Sequence, residues 1–323
     1  MRRRHVLGLT AATLAAPSAL RAQNAAWPER PLRLIVPFPP GGSTDTMARI
    51  IQPKLSEVLG RPIVIENRGG GSGSVGATEA ARSAPDGHTW MLAYDNEATN
   101  QTVMRLSYRL MQAFAPVSLV ATGPLAMVAH QSTPWKSFQE VVSAAKAAPD
   151  TISYASSGIG GLAHVSTTLL QQQGDFKLTH VPYRGGGPAL QDALSGQVPL
   201  FMSNVVIISQ HIKSGALRPL GVTTAVETRH VPGVKSFAQQ GFADFEAPTW
   251  WAMLGRAGTP EPILRRMGDA MQQVLSTPEI RGRIEEQGAD VAAGGPERCR
   301  RFLNAEVTKW GRVIQDHNIT LDS

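Results

Sequence analysis

Three glycines in ENRGGGSGSVGATEAAR, residues 66–82, fall in the order G-x-G-x-x-G: Gly71, Gly73 and Gly76. After an apolar run and before a helical pattern, that spacing suits a turn that cradles a dinucleotide pyrophosphate. A near-match, Gly158-Ile-Gly160-Gly-Leu-Ala163, follows the strand-like TISYASS. Glycine lets bare backbone N–H groups approach a ligand, and a helix N-terminus adds partial positive charge. Either turn therefore suits an anion, whether phosphate or carboxylate. Against a dinucleotide, Asp86, the next acid after Glu79, falls in the turn PDG. A ribose-binding carboxylate belongs at the end of the following strand.

Catalysis finds little support. Ser156 or Ser157 could be grouped with His164 and an aspartate, but neither serine sits in G-x-S-x-G. The 8 histidines include no H-E-x-x-H and no close pair with a carboxylate, so no metal site is expected. Cys299, the single cysteine, cannot form an internal disulfide. It falls in phase with Phe302, Leu303, Trp310, Val313 and Ile314 on one helical face, the place of a small core residue. No enzyme is read from these residues, and no cofactor.

The elements that must position these turns alternate. PLRLIVPF reads as a strand, and Met47, Ile50, Ile51, Leu55 and Val58 recur at helical spacing, with Pro53 expected to kink or restart that helix. PIVIENR, SVGATEAARSA and HTWMLAY continue the series as βαβαβ, the mark of a mainly parallel sheet covered on both faces. The pattern restarts with WKSFQEVVSAAKAAPD and TISYASS and runs to LRPLGVTTA. Between the blocks lie two extended runs broken by Gly123-Pro124, and FEAPTWWAMLGRAGTP returns extended. Helices beginning near Pro260 and Pro296 finish the chain. The reading is α/β: two lobes, residues 27–124 plus 249–323 and residues 125–248, joined by two hinge crossings around a cleft.

Ligands of parallel α/β sheets bind beyond the carboxyl ends of the strands. The turns PFPPGGSTD, ENRGGGSGS, AYDNE, SSGIGG, PYRGGGP and MSNV should therefore line the cleft. In the first, Ser43, Thr44 and Asp45 stand where a helix begins: one of them caps it, or Ser43 and Thr44 donate to a ligand carboxylate, or both hold.

Hydrophobic residues make up 42% and charged residues 17%, which excludes a disordered chain. MRRRH followed by VLGLTAATLAAPSAL is a secretory signal by shape, with cleavage near Ala22. Arg3-Arg4-His5-Val6-Leu7 resembles a twin-arginine motif, which leaves Sec and Tat export both open. The formal charge of +6 loses Arg2, Arg3, Arg4 and Arg21 with residues 1–22, leaving 27 basic against 25 acidic residues. No basic stripe with interleaved aromatics appears, so nucleic acid is not an expected partner.

WPERPLRLIVPFPPGGSTDTMAR, LGRPIVIENRGGGSGSVGA, APDGHTWML, ISYASSGIGG, HVPYRGGGPALQDALSGQV and IKSGALRPLGVTT together resemble the tripartite tricarboxylate transporter receptors, the Bug family. The likeness runs in order from Trp27 to the C-terminal helix. It implies a Venus-flytrap, type II-like periplasmic-binding-protein fold that captures a carboxylate-bearing metabolite without chemistry. It also implies a monomeric periplasmic receptor that delivers its ligand to a membrane permease of one large and one small subunit. Position by position, it implies ligand contacts at Phe38, Gly41, Gly42, Ser43, Thr44 and Asp45 on one lobe. On the other it implies Ser157, Gly158, Gly160, Tyr183, Gly185 and Gly186, and the MSNV turn adds Asn204. Tyr183 serves equally as a core aromatic, and Arg184 is expected to face solvent.

Three departures stand out, one of them Pro53, which is peripheral to the expected pocket. After the third strand the family carries small hydroxyl or glycine residues, whereas this chain has Tyr94, Asp95, Asn96 and Glu97. Asp95 at the cleft would repel a second carboxylate and favour an amine-bearing, amino-acid-like ligand; the alternative is that it caps its turn. MRLSYRLMQAFAP lacks the prolines and acid usual before the crossing. A sensor that presents its closed form to a signalling partner, and a secreted dinucleotide oxidoreductase, remain the rival functions.

Overall fold

The computed structural model describes residues 27–321. The export segment expected at residues 1–22 lies outside the described residues.

Strand β1 (Leu32–Val36) is followed by helix α1 (Ser43–Leu59), β2 (Ile63–Asn67), α2 (Ser74–Ala81), β3 (Thr89–Tyr94), α3 (Asn96–Val103), the short α4 (Leu110–Ala113) and β4 (Phe114–Gly123). A second block holds β5 (Leu125–His130), α5 (Phe138–Ala147), β6 (Ser153–Ser156), α6 (Leu162–Gly174), β7 (Thr179–Pro182), α7 (Gly186–Leu194), β8 (Leu200–Asn204), α8 (Val205–Lys213) and β9 (Leu217–Val222). The chain then returns through β10 (Thr249–Arg256), α9 (Glu261–Ser276), α10 (Pro278–Glu286), β11 (Asp290–Gly294) and α11 (Pro296–Asp316).

These strands form two sheets, ordered β2-β1-β3-β10-β4-β11 and β7-β6-β8-β5-β9. The expectation of mainly parallel sheets is corrected: both are mixed. β1 pairs in parallel with β2 and β3, and β6 with β7 and β8. The strands that carry the chain between sheets pair antiparallel, β10 with β3 and β4, and β5 with β8 and β9. The reason is the connection: a strand that passes straight from one sheet to the other has no helical crossover to reverse it. β4 ends the first sheet at Gly123 and β5 opens the second at Leu125, with Pro124 between.

The helices follow their apolar spacing. α1 buries Met47, Ile50, Ile51, Leu55 and Leu59, and Gly60 ends it in the left-handed conformation at φ 69°. Pro53 does not restart this helix; it lies inside one continuous element, on the exposed face. α11 buries Cys299, Leu303, Trp310 and Ile314, and burial pushes the Cys299 thiol up to about 12. Among the described residues, no helix is long and apolar enough to cross a membrane.

Candidate functional site

The carboxyl ends of β1, β2, β3, β6, β7 and β8 point their turns at one another, so both sheets contribute to one cleft. In the β1–α1 turn, Gly41 takes φ 83° and its N–H donates to Asp45 Oδ2 at 3.0 Å. Asp45 also accepts from Arg49 Nε at 2.9 Å and Asn67 Nδ2 at 3.1 Å. Burial opposes its charge, but Arg49, the Gly41 amide and Asn67 outweigh that and hold the carboxyl below its ordinary range. Asp45 is thus committed to shaping the loop. Gly42, Ser43 and Thr44 begin α1, whose first N–H groups have no intrahelical acceptor.

Across the cleft, several amides of the β6–α6 turn are already satisfied. Gly158 N–H donates to Ser156 Oγ at 3.2 Å, and Gly160 N–H to His164 Nδ1 at 3.1 Å. Ser156 Oγ lies 2.7 Å from His180 Nε2, and the His180 ring stacks on His164 with centroids 4.1 Å apart. Burial, helped by His164, lowers His180 to about 3, which keeps it uncharged near neutral pH. Ser156 is fully buried, so this pair braces a turn and offers no exposed nucleophile. Gly185, at φ 116°, donates its N–H to Ser157 O at 3.1 Å, and Gly186 begins α7. Tyr183 Oη donates to Asp192 at 2.7 Å; burial and that carboxylate raise the phenol to about 12.

Asn204, at the end of β8, reaches across the cleft. Its Nδ2 donates to Ser43 Oγ at 3.0 Å and to Tyr94 Oη at 2.9 Å, both in the first sheet's lobe. Tyr94 is wedged between Phe38 and Trp251, with ring centroids 5.7 Å and 5.5 Å away. Asn204 Oδ1 is buried without a partner. Asn204→Ala is expected to remove both inter-lobe bonds and weaken solute binding about thirtyfold, since two bonds at ~1 kcal/mol each come to ~2 kcal/mol. Titration calorimetry of the variant with small carboxylic acids checks this; unchanged affinity would show the bridge to be idle.

Asp95 is placed differently from the expectation that it faces the cleft. It is 2% exposed and accepts a hydrogen bond from Thr249 Oγ1, at the start of β10. It does not cap α3 with its side chain either. Burial raises it to about 7, with buried Glu306 adding to the rise. Glu97, also fully buried, accepts from Tyr108 Oη at 2.7 Å and is raised to about 7 by burial.

A cavity of about 340 Å³ lies between the lobes, lined by Phe38, Gly70 to Gly73, Met104, Ser157 to Ile159, Pro182 to Gly185 and Leu321. Of the expected site residues, Phe38, Ser157, Gly158, Tyr183 and Gly185 line it directly. Gly41, Gly42, Ser43, Thr44, Asp45, Gly186 and Asn204 form or brace the turns around it. Gly160 marks a close approach, since a β-carbon there would meet Val103 Cγ2 at 2.7 Å. Arg184 was expected in solvent; it is exposed yet lines the cavity and is, among the described residues, its only charged lining side chain. Ser72 and Ile159 lie in the turns ENRGGGSGS and SSGIGG expected to line the cleft, though neither was singled out; Met104 and Leu321, outside every such turn, carry no local signal. Asn96 lies in the expected AYDNE turn, and Asn100 was missed although a spacing of four puts both on one helix face.

Two α/β lobes joined by extended crossings, with a cavity between their glycine turns, define a two-lobed periplasmic binding protein for a small solute. The chain belongs to the tripartite tricarboxylate transporter family receptors, TctC, whose pattern it matches over residues 47–319. These are binding proteins and catalyse no reaction. BugT of Bordetella pertussis is 32% identical over 314 residues, 96% of this chain and 96% of that protein. R. palustris Rpa4515, solved with adipate, is 32% identical with a TM-score of 0.87, over 91% of this chain and 99% of that one. MatC from Rhodopseudomonas palustris, solved with bound malate, is 30% identical with a TM-score of 0.85, over 89% and 100%.

Proposed function

We propose that this receptor captures a small aliphatic dicarboxylate rather than an amine-bearing solute. The observation that carries the reading is the inter-lobe cavity, which pairs one cationic side chain, Arg184, with apolar walls from Phe38, Met104, Ile159 and Leu321. Among the described residues no carboxylate lines it, so no described side chain there would select an ammonium group, and Asp95 is engaged by Thr249 instead. The solute's first carboxylate binds at the turns of Gly41 to Thr44 and Ser157 to Gly160, and Tyr183, Gly185 and Gly186 close the second wall. Relatives solved with adipate and malate support the same class.

In this reading, residues 27–124 plus 249–323 and residues 125–248 move as lobes about the crossings at Pro124 and near Thr249. The closed form is then presented, as a monomer, to a membrane permease of one large and one small subunit. Export through a cleaved signal at residues 1–22 places the receptor in the periplasm. Titration calorimetry with adipate, malate, aspartate and NAD tests the assignment. Adipate or malate is expected to bind with a Kd of about 1 μM, some 8 kcal/mol, and NAD not at all. Binding of aspartate alone would restore the amine-bearing class, and binding of NAD alone would overturn the receptor reading.

A further inference from the structure

Ser72 stands in the turn between β2 and α2 with φ 48° and ψ 44°, a left-handed conformation that disfavours any residue with a β-carbon. Two amides on α3 hold it there. Asn96 Nδ2 and Asn100 Nδ2 both donate to the Ser72 carbonyl, the latter at 3.0 Å. The side chains at these positions reach the same acceptor because they are one helical turn apart. The Ser72 hydroxyl then donates to the Ile159 carbonyl at 2.6 Å, in the β6–α6 turn of the opposite lobe.

The neighbouring residue makes room for this bond. Gly158 takes φ 147°, and a β-carbon there would lie 2.4 Å from Ser72 Oγ. Within its own lobe the turn has no use for the hydroxyl: glycine would adopt the same backbone at lower cost. The hydroxyl's acceptor exists only when the lobes are together.

We propose that Ser72 is a latch of the closed state, a positioning residue that binds the Ile159 carbonyl while Asn96 and Asn100 brace its backbone. A bond made in only one of two conformations shifts their populations by its full worth. The proposal rests on the reading of this chain as a closing receptor but not on the dicarboxylate assignment, so it is tested without solute.

Arg82, exposed at the end of α2, and Gln191, exposed on α7, are replaced by cysteine and spin-labelled for distance measurement. Cys299 is fully buried and stays unlabelled. Ser72→Ala and Ser72→Gly are each expected to raise the open-to-closed ratio about two- to tenfold, the range of one neutral hydrogen bond. Thermal unfolding separates the latch from a structural role. Ser72→Gly relieves the left-handed backbone, so its Tm should equal or exceed that of the unaltered chain while its closed fraction falls. A distribution wholly open before substitution, or one that neither substitution moves, overturns the proposal. So does a glycine variant as closed as the unaltered protein.

Discussion

Asp95→Asn is expected to raise the unfolding midpoint near pH 8 by several degrees and to change it little near pH 4. The carboxyl rises from an ordinary 3.8 to about 7 in the folded protein, chiefly through burial, with Glu306 facing it and the Thr249 and Tyr94 hydroxyls partly offsetting the rise. An acid raised in the folded state contributes fully below its unfolded value, where both states are protonated. As pH climbs from 3.8 to about 7 the unfolded chain gives up its proton first, so stability falls through that window and the loss is complete above it. The limit for one such group is ~4 kcal/mol. Asparagine stays neutral and can still accept from Thr249, so it removes the loss. Glu97, buried against Tyr108, adds a second loss over the same window. Melting curves of both proteins at the two pH values check the sign; a variant less stable near pH 8 would show the charge to be compensated. Adipate affinity should not change, because this carboxylate does not line the cavity.

The second large effect is at Gly76. A β-carbon there would lie 2.7 Å from the Arg68 carbonyl oxygen and 2.8 Å from Pro37 Cα. Both obstacles are backbone, so α2 must lift away from the ends of β1 and β2. Overpacking of this kind costs about 1–3 kcal/mol, and sometimes more. Gly76→Ala should therefore lose that much stability in urea unfolding. It should also weaken solute binding, because α2 carries the turn of Ser72 and Gly73. Gly282 supplies the contrast. It lies inside α10 with nothing within 4 Å of a β-carbon, and Gly282→Ala should stabilise by about 0.4–1 kcal/mol. Equal effects at the two glycines would remove the packing explanation.

Gly76 also accounts for the motif that first suggested a nucleotide. The third glycine of G-x-G-x-x-G permits close helix-to-strand packing. That need arises in any tight βα turn, and here the motif borders the cavity between the lobes. Gly73 faces the same kind of constraint from Asn96, whose Nδ2 lies 2.7 Å from where its β-carbon would sit. The local context of a fingerprint was present, and the ligand it usually implies was not required by it.

The sequence by itself determined where the elements lie and which turns reach the cleft. Apolar spacing located α1, α11 and the strands, and Gly123-Pro124 marked a crossing, because each depends on neighbours a few residues away. It placed Phe38, Ser157, Gly158, Tyr183 and Gly185 on turns that do line the cavity. Only the tertiary structure decided strand direction at the crossings, the turning of Asp95 toward Thr249, and the contribution of Arg184. The same holds for the bonds that close the cleft. Ser72 and Ile159 are 87 positions apart, and Ser43 and Asn204 are 161 apart. Whether such groups meet depends on how the two lobes approach each other, and no local pattern records that.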